Sequence, residues 1–252
     1  MAMSPPQATN PVYRPRYNTA MADLSSLEIL WEDNHCIAAV KPAGMPSTHY
    51  DGSEETFDRR VKAYLKEKYA KPGDVFLGIV HRLDKPTSGV LLFARTSKAA
   101  ARIAEQFRDG GVDKVYWAVV EGRMKAADGT FEDWLWKDDT AGHVSVVKPG
   151  AAGAKHALVH YHVRAERGGL SWLELRPQTG RTHQLRVQLS SRGHPIVGDF
   201  KYGSEETTPA GIALHARSLT FLHPIRHEPV TLTADVPSTW RGRFAHLLAP
   251  MQ

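Results

Sequence analysis

The sequence has very little cysteine: Cys36 is the single thiol among 252 residues. One thiol cannot form a disulfide framework or a cysteine-rich zinc module, so the chain is expected to fold in a reducing compartment. No apolar run approaches the ~18–20 residues that a membrane-spanning helix needs, and the first residues contain no apolar signal segment. These absences predict a soluble cytoplasmic protein that does not contact the membrane.

Several catalytic signatures are also missing. The sequence contains no GxxxxGK[ST], GxGxxG, GxSxG or HExxH motif, so nucleotide hydrolysis, dinucleotide redox chemistry and the common hydrolase sites lose support. Three histidines of like parity, His156, His160 and His162, would share one face of a strand, where they could bind a metal ion. Because no carboxylate is recognised in register with them, a polar strand face is the favoured interpretation.

The composition that is present is ordinary for a globular protein, with 42% hydrophobic and 23% charged residues. The formal net charge is +5, the sequence pI is about 9.3, and arginine outnumbers lysine. Arginine binds phosphate through two parallel hydrogen bonds, so a basic chain rich in arginine is consistent with a nucleic-acid partner. Charge alone supports that partner only weakly, since many basic proteins bind no nucleic acid.

The chain divides into a tail and one domain. Residues 1–24 contain four prolines and no hydrophobic period, which predicts a flexible N-terminal tail. Residues 25–252 show no internal repeat and are interpreted as a single domain. Strands are predicted at residues 27–33, 36–40, 76–79, 90–94, 115–121, 134–136, 144–147, 157–164, 170–176, 213–215, 219–222 and 230–234. Helices are predicted at residues 54–69, 98–108 (with Ser97 as N-cap) and 182–192. This pattern predicts a strand-rich α+β fold, because the hairpins argue against a doubly wound sheet.

A polar loop at residues 81–89 (HRLDKPTSG) separates two apolar strands. Asp84 has Arg82 and Lys85 as neighbours, and nearby cations favour the ionised form of a carboxyl group. An ionised, oriented aspartate can act as a nucleophile or a base. A turn in which Asp84 and Thr87 cap backbone donors explains the composition equally well.

A second polar cluster, residues 178–186 (QTGRTHQLR), falls where a strand ends and a helix begins. Free backbone N–H groups and the helix dipole favour anions there. Arg181 in the first turn would be mildly disfavoured by the dipole, a cost that an anionic partner would offset. The alternative is a capped helix with a solvated arginine.

Residues 81–89 resemble the catalytic signature of the RluA family of pseudouridine synthases. Further blocks resemble the other motifs of that family, in the same order, at residues 29–44, 114–122, 180–186 with 193–199, and 214–216. The resemblance spans residues 27–236. It implies a single catalytic domain, residues 25–252, built on a mixed, largely antiparallel β-sheet flanked by helices.

The resemblance also implies an activity. Enzymes of this family isomerise a uridine in ribosomal or transfer RNA, breaking its N1 glycosidic bond and remaking the bond to C5, without a cofactor or metal. It assigns Asp84 as the catalytic carboxylate, with Arg181 pairing with it and keeping it ionised. Tyr116 would stack on the target base and assist removal of the C5 proton. A uridine in structured RNA would first be flipped out of its stack, at a cost of a few kcal/mol.

Four residues are expected to bind substrate. Leu185 would pack on the uracil ring, and Arg82 would hold the RNA backbone or fill the vacated space. His81 and Thr87 complete this set. Since about 28 residues precede the first motif, the chain resembles short members that lack an N-terminal S4-type RNA-binding domain, and a monomer is expected.

RNA selection would then depend on the catalytic domain, its loops around residues 124–156 and the tail arginines Arg14 and Arg16. The alternative is a non-catalytic RNA-binding or chaperone protein that retains the fold. A third interpretation, a small-substrate hydrolase with an aspartate nucleophile, is less consistent with the basic pI.

Overall fold

A computed structural model describes residues 27–48 and 55–248, so the predicted tail, residues 1–24, lies outside the described residues. The described chain forms one mixed sheet of eleven strands. The strands are β1 (Ile29–Glu32), β2 (Cys36–Lys41), β3 (Gly78–Ile79), β4 (Ser88–Ala94), β5 (Asp113–Glu121), β6 (Asp128–Asp138), β7 (His143–Val147), β8 (Lys155–Arg167), β9 (Leu170–Pro177), β10 (Leu214–Leu222) and β11 (Pro229–Thr233).

The strands follow the order β1-β2-β4-β10-β5-β9-β8-β6-β7, with β11 paired to β10 and β3 to β4. Among these pairs, β4 with β10 is parallel and the others are antiparallel. The α+β class and the mixed, largely antiparallel sheet expected from the sequence are therefore confirmed. The parallel pair joins His215 and Ala216 to Ser88 and Gly89, directly beside the polar loop.

Five helices accompany the sheet in the described residues: α1 (Phe57–Lys68), α2 (Ser97–Arg108), α3 (Gln184–Ser190), α4 (Ser238–Arg243) and α5 (Ala245–Leu248). A 3-10 turn lies at Phe200–Tyr202. The expectation of three helices was wrong because α4 and α5 have six and four residues, too few to show a helical period. The N-cap of α2 is also one residue earlier than expected, since the Thr96 hydroxyl accepts the Ala99 N–H at 3.2 Å.

The third helix is shorter than predicted, and this changes the position of Arg181. Helix α3 begins at Gln184 because His183 adopts left-handed backbone angles, φ 51° and ψ 20°, which a continuing helix cannot contain. Arg181 therefore lies in the turn before the helix. Residues 184–189 are all buried, so α3 has almost no solvent-facing side.

The core covers both faces of the sheet. All seven residues of β4 are buried, as expected for a strand that is covered on each side. Phe93 of this strand packs in the cluster that contains Phe57 of α1, while Leu92 packs in the cluster that contains Ile103 of α2. Because β4 follows the polar loop directly, it provides a rigid support for that loop. No helix within residues 27–48 and 55–248 has the length and apolar character that a membrane crossing requires.

Candidate active site

The polar loop is fixed at its base by backbone hydrogen bonds to two other segments. The Thr87 N–H donates to the Asp84 carbonyl at 3.0 Å, which closes a turn around the aspartate. Gly44 N–H donates to the Lys85 carbonyl at 2.8 Å, and Ile212 N–H donates to the Pro86 carbonyl at 3.2 Å. The position of Asp84 is therefore determined by the fold on both sides of the loop.

Gly89 at the start of β4 permits a close approach that no other residue would allow. Its φ is +118°, and a Cβ built on it would lie 2.3 Å from the Ala216 carbonyl oxygen and 2.6 Å from the Ala216 nitrogen. Glycine adopts such angles without steric penalty and leaves room for the neighbouring backbone. The parallel pairing of β4 with β10 beside Asp84 depends on this glycine.

Lys41 lies beneath the loop and is fully buried. Its Nζ donates to the carbonyls of Pro42, Met45 and Lys85 at 2.8, 2.7 and 3.2 Å, which matches the three donors of an ammonium group. Burial lowers the pKa of Lys41 to about 7, although the negative charge of Asp84 opposes this shift. The lysine therefore connects the first motif to the residue that follows Asp84.

The arginine that pairs with Asp84 is Arg186, and the predicted pairing with Arg181 was wrong. Arg186 Nη1 lies 3.2 Å from Asp84 Oδ2, and its Nε and Nη2 donate to the two carboxylate oxygens of Asp199 at 2.7 and 2.8 Å. Burial alone would lower the pKa of Arg186, but the hydrogen bonds and charge of Asp199, with the charge of Asp84, raise it above its ordinary value. The physical reason is the start of α3, which places Arg186 inside the helix, facing the loop.

Arg181 instead binds the strand beside it. Its Nε donates to the His156 carbonyl at 2.8 Å, and the residue is exposed. It still lines the same pocket as Asp84. Arg181 is thus placed to meet an incoming ligand at the pocket rim, without a hydrogen bond to the aspartate.

Tyr116 lies on β5, between Leu175 of β9 and Ala216 of β10. Burial, with a contribution from the charge of Asp84, raises the pKa of Tyr116 above its usual range. The phenol is therefore protonated near neutral pH. Both roles expected of Tyr116, stacking on the base and assisting proton removal, stay predictions.

The side chains converge on one pocket of about 120 Å³. This is smaller than the ~300 Å³ of sites for drug-sized ligands, so it suits one small ring. Its lining contains Arg82, Leu83, Asp84, Thr87, Lys114, Tyr116, Pro177, Thr179, Gly180, Arg181, His183, Gln184, Leu185, Arg186 and Leu214. Of the seven residues predicted for the site, His81 does not line it. The His81 ring stacks on Phe107 at 4.7 Å and its Nε2 accepts the Leu92 N–H at 3.0 Å, which makes it a support for the loop.

The three histidines of β8 do not converge on one point. His156 and His162 pair with Glu132 and Asp128 of β6 at 2.8 and 2.5 Å, and His160 contacts the Thr130 hydroxyl at 2.8 Å. The sequence interpretation that no carboxylate faces them was therefore wrong. The sequence alone does not give the register between β6 and β8, and this register brings the carboxylates of β6 next to the histidines of β8.

Ligand-type atoms approach one another elsewhere, at Asp33, Cys36 and His223, whose atoms lie within 4.8 Å. His223 Nδ1 accepts the backbone N–H groups of Ile225 and Arg226 at 3.2 and 2.9 Å. Its proton is thus on Nε2, which donates to Asp33 at 2.7 Å. Both ring nitrogens of His223 therefore have protein partners, and the ring supports the turn at residues 223–226.

No individual role was assigned from the sequence to two pocket residues, Arg186 and His183, or to Asp199, the partner of Arg186. Arg186 is flanked by Leu185 and Val187, and an arginine between two apolar residues of a short helix is a signal for a buried ion pair. The signal for His183 is absent from the sequence, because only the backbone shows its left-handed conformation.

Comparisons with known proteins agree with this geometry. A sequence model described as RNA pseudouridylate synthase matches residues 35–191. The chain is 33% identical over 249 residues to ribosomal large subunit pseudouridine synthase D of Zymomonas mobilis, covering 94% of this chain and 77% of the relative. It is 33% identical to tRNA pseudouridine synthase C of Pectobacterium carotovorum, covering 92% of this chain and 63% of the relative.

The fold comparison gives the same result. The structure of human RNA pseudouridylate synthase domain containing 4 superposes with a TM-score of 0.71 at 26% identity, covering 88% of this chain and 92% of that one. Fold and sequence together define an RNA-modifying isomerase. The chain belongs to the RluA family of RNA pseudouridine synthases, as residues 81–89 indicated.

Proposed function

We propose that this enzyme isomerises specific uridines of ribosomal or transfer RNA, with Asp84 as the catalytic carboxylate and the target base flipped into the pocket. The observation that supports this most directly is the placement of Asp84. Its carboxylate lies in a pocket suited to one ring, bonded to a buried arginine that itself is held by Asp199. A carboxylate held in this way can meet positive charge that develops on the ribose, or attack as a nucleophile.

The pocket supports base flipping as part of this proposal. Tyr116 and Leu185 provide apolar surface inside it, and enzymes that act on a base extrude it into such a pocket. Arg82 and Arg181 are exposed at the same opening, where they can contact the flanking phosphates. Thr87 lines the pocket beside Asp84 and completes the proposed uridine site.

The names of the relatives include both ribosomal RNA and tRNA enzymes, so both RNA classes are candidate substrates. We propose that the enzyme acts as a monomer, because the fold of a single copy is enough to bring Asp84, Tyr116 and Arg186 together in one pocket. Because ribosomal and transfer RNA are its candidate substrates, we place its action in the cytoplasm.

The test is tritium release from RNA labelled at C5 of uridine, because isomerisation exchanges that hydrogen. Ribosomal and transfer RNA transcripts should be offered separately to the wild-type chain and to Asp84→Asn. We expect release from one RNA class by the wild type. We expect Asp84→Asn to bind that RNA as tightly and to release nothing, because the amide keeps the shape and removes the charge. Turnover by Asp84→Asn within about tenfold of the wild type, about 1.4 kcal/mol in activation free energy, would refute the role of Asp84.

A further inference from the structure

His183 lines the pocket, yet the reaction as described so far gives it no task. Its backbone is in the left-handed region, φ 51°, a conformation that costs a non-glycine residue about 1–3 kcal/mol and that persists where the surroundings enforce it. Ala70 and His227 are the other non-glycine residues with positive φ in the described chain, and neither lines the pocket. The strained turn before α3 thus coincides with the site.

A hydrogen bond fixes the tautomer of the His183 ring. Its Nδ1 lies 2.8 Å from the Tyr202 hydroxyl oxygen, and that oxygen also accepts the Val144 N–H at 3.1 Å. Within the described residues, Nδ1 is the acceptor in reach of the Tyr202 hydroxyl proton. The tautomer that gives this hydroxyl proton an acceptor is the one with the imidazole proton on Nε2.

The tyrosine is itself held firmly. Tyr202 is 6% exposed, and the Arg186 guanidinium lies 5.0 Å from the centre of its ring. The His183 ring meets the same ring edge-on at 5.6 Å. The group that orients His183 is therefore part of the structure that also holds Asp84.

Burial of the imidazole favours its neutral form. Burial lowers the pKa of His183 to about 4, an effect that Asp84 and Asp199 oppose and that Arg186 and Lys201 reinforce. A neutral ring with its proton on Nε2 is a hydrogen-bond donor that adds no charge beside Arg186. No hydrogen bond to another described residue occupies Nε2.

We propose that His183 Nε2–H donates a hydrogen bond to a carbonyl oxygen of the uracil ring in the pocket, which makes His183 a further catalytic residue. The proposal rests on the proposed function. When the bond between N1 and C1′ breaks, its electron pair passes to the uracil ring, whose carbonyl oxygens share the negative charge. Addition of Asp84 to the base would also place charge on a carbonyl oxygen. A fixed donor aimed at developing charge stabilises the transition state more than the ground state.

The first test compares paired histidine variants on the RNA class that the wild type converts. His183→Gly and His183→Asn remove the imidazole and tolerate the left-handed backbone. His227→Gly and His227→Asn are matched controls, because His227 has φ 58° and is exposed. Single-turnover rates at saturating RNA and the half-saturating RNA concentration are measured for each.

We expect both His183 variants to lose about 100-fold or more in rate, as for other single donors to a developing anion. The half-saturating concentration should stay within about threefold, and the His227 variants should match the wild type. A His183 loss below about tenfold, or one equal to the loss at His227, would overturn the proposal. Absence of turnover by the wild type would instead refute the proposed function.

The second test does not depend on turnover, and its main measurement is made on the wild-type chain. In the wild-type chain labelled with nitrogen isotope in histidine, NMR shifts of the ring nitrogens report the tautomer, with His183→Asn used only to assign the signal. We expect His183 to be neutral with its proton on Nε2 down to about pH 5 and to shift towards the opposite tautomer in Tyr202→Phe. A proton on Nδ1, or a charged ring at pH 7, would overturn the proposal.

Discussion

At the scale of single residues, the buried arginine is the feature whose loss should be most costly. Arg186 is bonded to Asp84 and to both carboxylate oxygens of Asp199, and Asp199 is 2% exposed. Arg186→Met leaves a buried carboxylate without a partner, which destabilises a fold by about 3–5 kcal/mol. Arg186→Lys keeps the charge and loses the paired geometry. We expect the free energy of unfolding, measured in urea, and the single-turnover rate both to decrease in the order wild type, Arg186→Lys, Arg186→Met.

Arg181 provides the matched comparison, because it lies in the turn just before the helix that contains Arg186 and lines the same pocket but is exposed. Arg181→Met should change unfolding free energy by no more than about 0.5 kcal/mol, as for a typical surface substitution. If Arg181→Met destabilised the chain as strongly as Arg186→Met, the assignment of the ion pair would be wrong.

The buried Lys41 predicts a specific pH dependence for the site. Burial lowers its pKa from 10.5 to about 7, so between these values the unfolded chain binds more protons than the folded one. Lys41 therefore makes the fold more stable as pH rises through this window. The same deprotonation removes one donor from the three carbonyl contacts that support the loop. We expect the reaction rate to fall as pH rises through about 7, while stability does not.

The test is a pair of single-turnover pH profiles for the wild type and Lys41→Met. Methionine fills similar space and cannot titrate. The variant should therefore be slower than the wild type at low pH, and its rate should not fall as the pH rises through about 7. A variant whose rate declines in parallel with the wild type above pH 7 would show that another group causes the dependence.

At the scale of elements, the strands could be predicted well and the segment that completes the site could not. Alternating side chains and turn glycines identify β8 and β9 around Gly168, because both signals are local. The start of α3 depends on the backbone of His183, which is held by Tyr202, a residue nineteen positions along the chain. The resemblance thus indicated Asp84 and the correct motif, but it assigned the ion pair to Arg181, whereas the arginine that faces Asp84 is Arg186, inside α3.

Substitution of Gly89 tests whether the close contact between β4 and β10 is required for stability and activity. Gly89→Ala would place a Cβ 2.3 Å from the Ala216 carbonyl oxygen, so the strands must separate. Gly110→Ala is the matched control, because Gly110 has φ +76° and a Cβ added there would meet no atom within 4 Å. The control should lose about 1–2 kcal/mol from backbone strain alone.

We expect Gly89→Ala to lose more unfolding free energy than this control and to reduce turnover, since Asp84 precedes the displaced strand by a few residues. Urea unfolding of both variants provides the measurement. Equal losses of unfolding free energy in the two variants would mean that glycine is needed at position 89 because of its backbone angles and not because of the contact with Ala216.

At the scale of the whole molecule, the net charge of +5 is modest for a protein that binds a polyanion, so the placement of the cations matters more than their number. Arg82, Lys114 and Arg181 all line the pocket, and two of them, Arg82 and Arg181, are exposed. Burial lowers the pKa of Lys114, and the charge of Arg181 adds to that effect. A neighbouring phosphate would relieve this repulsion. Positive charge is therefore concentrated at the opening of the pocket, where the proposed function expects the RNA backbone to pass.

This concentration predicts a salt dependence that can be assigned to individual residues. Each phosphate contact contributes about −0.7 to the slope of log affinity against log salt for single-stranded RNA. We expect Arg82→Gln and Arg181→Gln each to reduce the steepness of that slope by about one contact. Arg108→Gln is the control, because Arg108 has a side chain 70% exposed at the end of α2 and does not line the pocket. The measurement is RNA binding between about 50 and 200 mM salt. If Arg108→Gln changed the slope as much as the two pocket variants, the RNA would be held by diffuse surface charge, and the pocket rim could not be the groove that guides the strand.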